Sequence, residues 1–129
     1  MERRHHHFWS EKENVWFHKI LGLEEIEIIL QQNVTDYLEE LILILYENEY
    51  FGFESDAQIY VQKIYDFIEH NLPIFPHKIT PENLTDLGSK YIFYKANPST
   101  TWYIFFESSD NRFLVSYITN NFSEIIKFL

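Results

Sequence analysis

The sequence predicts an α+β fold: a four-stranded, mainly antiparallel sheet in the order β-α-α-β-β-β, with a helical hairpin on one face and a short C-terminal helix. Three observations predict it. Residues 91–119 contain three short runs of aromatic and β-branched residues separated by turn residues, which is the pattern of an antiparallel meander. Residues 33–70 carry apolar side chains at helical spacing in two stretches. A short β-branched run at residues 24–31 precedes both stretches.

The run at residues 24–31 reads EEIEIILQ and predicts the first strand, because isoleucine is enriched in strands over short apolar spans. The glutamates leave a helix as the competing interpretation. As a strand, this segment is expected to join one edge of the meander, so that its apolar side chains share a core with the helical hairpin.

Two helices are predicted next. The first is capped by Asn33 or Thr35 and runs to about Asn48. Its apolar stripe is wide enough to be buried over most of its circumference. The second begins at the Ser-Asp pair of residues 55–56 and runs to about His70, with charged side chains on its outer side. The short loop between the helices predicts an antiparallel hairpin.

A connector at residues 71–89 follows, and its three prolines and one glycine exclude a long regular element. Its residues Leu72, Ile74 and Phe75 are expected to lie under the helices. After the meander, residues 120–129 predict one helical turn, capped by Ser123, that packs back on the domain.

The first 23 residues lack the clean periodicity of the rest of the chain. They predict an N-terminal extension that is either poorly ordered or forms a short helix over Glu11–Ile20. The three consecutive histidines His5, His6 and His7 are either a metal-binding tract or a simple tail, and a tail is favoured because a metal site needs converging ligands. We therefore expect no metal and no cofactor. The predicted domain covers residues 24–129.

Composition narrows the function classes. The chain has 129 residues, no cysteine and a net charge of −10, which excludes a disulfide framework and argues against a broad nucleic-acid footprint. The charge is uneven: residues 1–70 hold 15 acidic and five basic residues, and residues 71–129 hold five of each. This distribution does not exclude a small local anion-binding site in residues 71–129. The absence of a signal peptide and of a long apolar run predicts a cytoplasmic protein that does not engage a membrane.

This order of elements, taken with the segments YIFYK, TTWYIFFE and FLVSYITNN, resembles the RelE/ParE toxins of bacterial type II toxin–antitoxin systems. The spacing of Tyr91 and Tyr94 is similar to the tyrosine pair of that family's second strand, and AQIYVQKIYDFIEHNLPIFP is similar to its second helix. The likeness covers residues 24–121. The family's arginine after the first tyrosine is replaced here by Ile92.

The resemblance implies a growth-inhibiting toxin that is neutralised by a cognate antitoxin. Two mechanisms are compatible with it: a metal-independent endoribonuclease acting on ribosome-bound mRNA, or a protein that binds and poisons DNA gyrase. The acidic charge and Ile92 favour the second mode or an inactive member. A non-catalytic protein-interaction module with the same fold is the alternative from another class.

The resemblance also directs attention to the sheet face opposite the helices. For the endoribonuclease mode, the candidate catalytic residues are Lys95, Arg112 and Tyr117, which would stabilise phosphate charge and assist proton transfer. Each also has an ordinary explanation, as solvated charge beside a turn or as a structural tyrosine. Because the meander has more aromatic residues than one face can bury, we also predict antitoxin or target contacts at Tyr94, Trp102, Tyr103 and Phe105.

Overall fold

The structure, a computed structural model, describes residues 15–21, 24–48 and 53–129. Its strands are β1 (Val15–Leu21), β2 (Glu24–Leu30), β3 (Lys78–Ile79), β4 (Lys90–Asn97), β5 (Thr100–Ser109) and β6 (Arg112–Asn120). The α-helices are α1 (Gln32–Glu47) and α2 (Glu54–Asn71). Two 3₁₀ helices, which we call the connector 3₁₀ helix and the tail 3₁₀ helix, span Glu82–Leu87 and Glu124–Phe128.

The described strands form one mixed sheet in the order β1-β2-β6-β5-β4-β3. Four of the pairings are antiparallel, and β2 runs parallel to β6. The predicted α+β class is therefore confirmed, and the predicted first strand does join the edge of the meander. The predicted count of four strands is too small, because β1 and β3 extend the sheet at its two edges.

Strand β1 replaces the short helix predicted over Glu11–Ile20, as far as that segment is described. Val15 pairs with Leu30 and Leu21 pairs with Glu24 in an antiparallel ladder. The helix prediction rested on a local capping pattern, and pairing with a neighbouring strand overrides such local preferences. Residues 11–14 and the three histidines lie outside the described residues.

The parallel pairing of β2 with β6 follows from the chain path. Parallel neighbours need a crossover connection, and the helical hairpin begins that crossover. Glu27 donates its backbone N–H to the carbonyl of Asn111 at 3.0 Å, and Gln31 donates to Val115 at 3.0 Å. These bonds fix β2 against the half of β6 that starts after the β5–β6 turn.

Both helices lie near their predicted positions but start without the predicted caps. The N-cap residues are Gln31 and Phe53, and neither makes a side-chain capping bond. Asn33 instead donates its amide to the Ser116 carbonyl at 3.0 Å. The apolar stripe of α1 is narrower than predicted, since Leu43 is 48% exposed. The described part of the chain contains no helix that is long and apolar enough to span a membrane.

The core lies between the helical hairpin and one side of the sheet, which we call the helix face. Its largest fully buried side chains in the meander are Trp102, Ile104 and Phe106. Leu72 of the connector is also fully buried, whereas Ile74, predicted to lie under the helices, is 67% exposed. The apolar area removed from water here is the main stabilising term for the domain.

Tyr65 of α2 packs against this core and gives a pH-dependent prediction. Burial, followed by the nearby Glu39 carboxylate, raises the pKa of Tyr65 to about 12. Its stabilising contribution is therefore complete below about pH 10, the pKa of an unfolded tyrosine, and is lost as the pH rises toward about 12. We expect the urea midpoint to fall between about pH 10 and about pH 12, and to fall less in Tyr65→Phe. Equal falls in both proteins would contradict the assignment.

Candidate functional site

Two of the predicted contact residues lie on the helix face and not on the opposite side of the sheet. Trp102 is 1% exposed and donates its indole N–H to the Tyr60 hydroxyl at 3.0 Å. Tyr94 stacks on Phe67 with ring centroids 4.8 Å apart. Both side chains therefore hold the helical hairpin on the sheet. Their predicted place on an exposed contact surface is wrong, because strand alternation sends them to the core.

The side opposite the helices, which we call the second face, is half covered. Phe105 lies on this face and is fully buried. The backbone of Gly88 lies directly against it, since a Cβ built on Gly88 would sit 3.0 Å from the Phe105 Cβ. Ser116 donates its hydroxyl to the carbonyl of Leu87 at the end of the connector 3₁₀ helix. The connector therefore crosses the second face and covers Phe105.

A carboxylate fastens the end of this connector to β5. Glu107 accepts a hydrogen bond from the backbone N–H of Ser89 at 3.0 Å and another from the Ser89 hydroxyl at 2.5 Å. Bonds to an ionised acceptor are the stronger class of hydrogen bond. This end of the connector, for which the sequence pattern made no prediction, lies across the second face of the sheet and is bonded to β5.

The uncovered half of the second face forms an open groove of about 400 Å³, which we call the lysine groove. Three strands and the tail contribute to it. It is lined by Lys78, Tyr91, Phe93, Lys95, Thr101, Tyr103 and Leu129. Leu129 follows the tail 3₁₀ helix, so the tail packs back on the domain as predicted and forms one wall. Sequence reasoning found Lys95 and Tyr103 but missed Lys78, whose short strand was read as irregular connector.

Aromatic rings form the floor of the groove. The Tyr103 ring centroid lies 6.2 Å from that of Tyr91 and 6.4 Å from that of Phe93. Lys78 places its ammonium 5.9 Å from the Phe93 centroid, a cation–π distance. Burial, followed by the neighbouring Tyr103, raises the pKa of Tyr91. Tyr91 therefore stays protonated at neutral pH and can act as a hydrogen-bond donor.

The groove is cationic within an acidic protein. Its lining includes two lysines and no carboxylate side chain. Within the described ranges, neither Lys78 nor Lys95 forms an ion pair. The chain as a whole carries twice as many acidic as basic residues. An anion that enters the groove would thus meet two ammonium groups that form no ion pair with the described residues.

The three predicted catalytic residues are not brought together. Lys95 lies opposite Thr101 and Arg112 lies opposite Ser109. Eight residue steps of β5 separate these positions, which places the backbones of Lys95 and Arg112 about 26 Å apart along the strand direction. Arg112 also pairs with Glu27 at 3.3 Å. Their catalytic role stays a prediction, but one small substrate group cannot touch both.

Tyr117, the third of these residues, lies between the two ends. Its ring centroid is 6.1 Å from that of Phe105 in an edge-to-face arrangement. It also borders a small cavity with Asn33 and Tyr37 of α1. Burial, followed by Tyr117, raises the pKa of Tyr37, so the Tyr37 phenol is a hydrogen-bond donor in this cavity and not a proton-accepting phenolate.

The described part of the chain contains no cluster of side chains suited to binding a metal ion. No group of three histidine, cysteine, aspartate or glutamate side chains there could hold a metal ion. The donors of the lysine groove are ammonium and hydroxyl groups, and ammonium groups repel cations. The chemistry that the groove can offer is binding and charge stabilisation of an anionic group.

No protein-family model, no curated protein and no solved structure matched this chain.

Proposed function

We propose that the chain is the toxin component of a type II toxin–antitoxin system of the RelE/ParE kind, neutralised by a cognate antitoxin. The order strand, helical hairpin, connector and meander supports the proposal, as does β2 lying along β6. The observation that carries it is the lysine groove, an uncovered aromatic surface on the face opposite the helices. The resembled family makes its target and antitoxin contacts on that face.

The separation of Lys95 from Arg112 favours one of the two toxin modes. Cleavage of RNA needs its catalytic groups around a single phosphate, and these two cations lie at opposite ends of β5. Poisoning of DNA gyrase by binding needs no such cluster. The proposed target is therefore gyrase, with ribosome-bound mRNA as the second candidate.

Inducible expression in a bacterial host tests the proposal. We expect growth to stop after induction and to resume when the antitoxin gene is co-expressed. Alanine variants of Arg112 and Tyr117, which do not line the lysine groove, should each keep full growth arrest, and purified gyrase should lose supercoiling activity in the presence of the protein. Normal growth with the folded protein confirmed in the cell extract would contradict the toxin role.

Loss of arrest in the folded alanine variants, with gyrase unaffected, would instead favour the endoribonuclease. The alternative of a non-toxic interaction module is supported by the same half-exposed rings of the groove, since exposed aromatic surface marks partner sites. Normal growth together with specific binding of a protein partner at Tyr103 would favour that module over the toxin.

A further inference from the structure

The two lysines of the lysine groove can reach one small anion. Lys78 is paired with Tyr91 across β3 and β4, but its ammonium extends along the sheet to lie over the Phe93 ring. Lys95 is the next residue of β4 on the same face after Phe93, about 7 Å farther along the strand. Both lysines line the same groove, on either side of Phe93 along its floor.

The floor beside these lysines can hold a planar ring. Tyr103 is only partly buried and lies between Tyr91 and Phe93 on the neighbouring strand. Phe93 is already contacted by Lys78 and, edge-on, by Phe75 at 5.8 Å. Tyr103 is thus the ring best placed to receive a ligand. Tyr91 and Thr101 also line the groove, and their hydroxyl groups are of a type that can donate hydrogen bonds.

We propose that the lysine groove binds one nucleotide unit, with its phosphate between Lys78 and Lys95 and its base packed against Tyr103. Lysine binds phosphate as a point charge, and bases stack on aromatic side chains with little sequence preference. The volume of about 400 Å³ fits a single small ligand and not a duplex. This site does not depend on the proposed toxin role.

The nucleotide can come from two sources: a free mononucleotide or one residue of a single strand. Calorimetric titration of the full chain with adenosine monophosphate, adenosine, inorganic phosphate and a short single-stranded oligonucleotide separates them. We expect adenosine monophosphate to bind at least about tenfold more tightly than adenosine or phosphate, because it makes both contacts. Preference for the oligonucleotide would identify the single strand as the source.

Three variants test the assignment of the contacts. Lys78→Gln and Lys95→Gln should each weaken binding of adenosine monophosphate about tenfold, since each removes one ammonium contact to phosphate. Tyr103→Leu should weaken it by a similar factor while leaving phosphate binding unchanged. Lys63→Gln, at an exposed position of α2, is the matched control and should bind like the parent.

The proposal fails if neither adenosine monophosphate nor the oligonucleotide binds. It also fails if phosphate alone binds as tightly as adenosine monophosphate, or if Lys63→Gln weakens binding as much as the groove variants do. Circular dichroism of each variant establishes that its fold is kept. Growth arrest is a separate measurement, so the toxin role can fail while nucleotide binding holds, and the reverse.

Discussion

Replacing Gly88 with alanine is expected to destabilise the protein by about 3 kcal/mol or more. Gly88 has φ 155° and ψ 143°, a region that residues with a side chain rarely adopt. An added Cβ would also sit 2.6 Å from the backbone nitrogen of Phe106 and 3.0 Å from the carbonyl carbon of Phe105. Backbone atoms of a central strand cannot move aside, so the connector itself would have to lift from the second face.

Urea unfolding followed by circular dichroism measures this effect. Asp86→Ala is the matched control, because Asp86 is an exposed residue of the connector 3₁₀ helix, and its stability should stay within about 0.5 kcal/mol of the parent. If Gly88→Ala unfolds at the same urea concentration as the parent, then the connector does not lie on β5 as closely as the structure has it.

The sequence predicts only one of the two structural features of Gly88. Its position after a proline-rich segment indicates a break in regular structure, and the chain does break there. The close approach of its backbone to Phe105 depends on where the connector lies in space, and no local pattern encodes that. The same holds for β1, whose residues read as irregular until the ladder with β2 is formed.

The meander, by contrast, was predictable because its signals are local. Its turns fall where the turn residues stand, at residues 98–99 and 110–111. Asn97 accepts a hydrogen bond from the backbone N–H of Ser99 at 2.9 Å, and Asp110 adopts φ 55°. Asparagine and aspartate tolerate these local geometries better than most residues. Turns of this kind can be predicted from the local sequence without knowledge of the rest of the fold.

Which side of each strand faces the helices was harder to predict. In β5 both alternating sets are apolar, so periodicity separates the two sets but does not say which one is buried by the hairpin. Trp102 therefore could not be told from Tyr103. A β-bulge between β5 and β6 makes the prediction harder still. Phe105 pairs with Tyr117 but Phe106 pairs with Val115, so Ser116 is the extra residue of β6. Such a bulge shifts the alternation of β6.

Replacing Phe105 with alanine is expected to lower the free energy of unfolding by about 3–5 kcal/mol, the second large effect that the structure predicts. The side chain is fully buried although it points away from the helices. Its neighbours include the rings of Tyr91 at 5.5 Å and Tyr117 at 6.1 Å. The deletion would leave a cavity beneath the connector, and the rigid sheet below it cannot collapse to fill the space.

Tyr103→Ala is the matched control for Phe105→Ala, because Tyr103 lies on the same face of the same strand, two residues away. It is only partly buried, so its truncation should cost about 1–2 kcal/mol. A difference of about 2 kcal/mol or more in urea unfolding would show that the connector makes half of the second face into core. Equal losses would mean that Phe105 is no better covered than Tyr103. Such a difference would divide the second face into a covered half that serves folding and a half around Tyr103 that stays accessible, where the proposed ligand would bind.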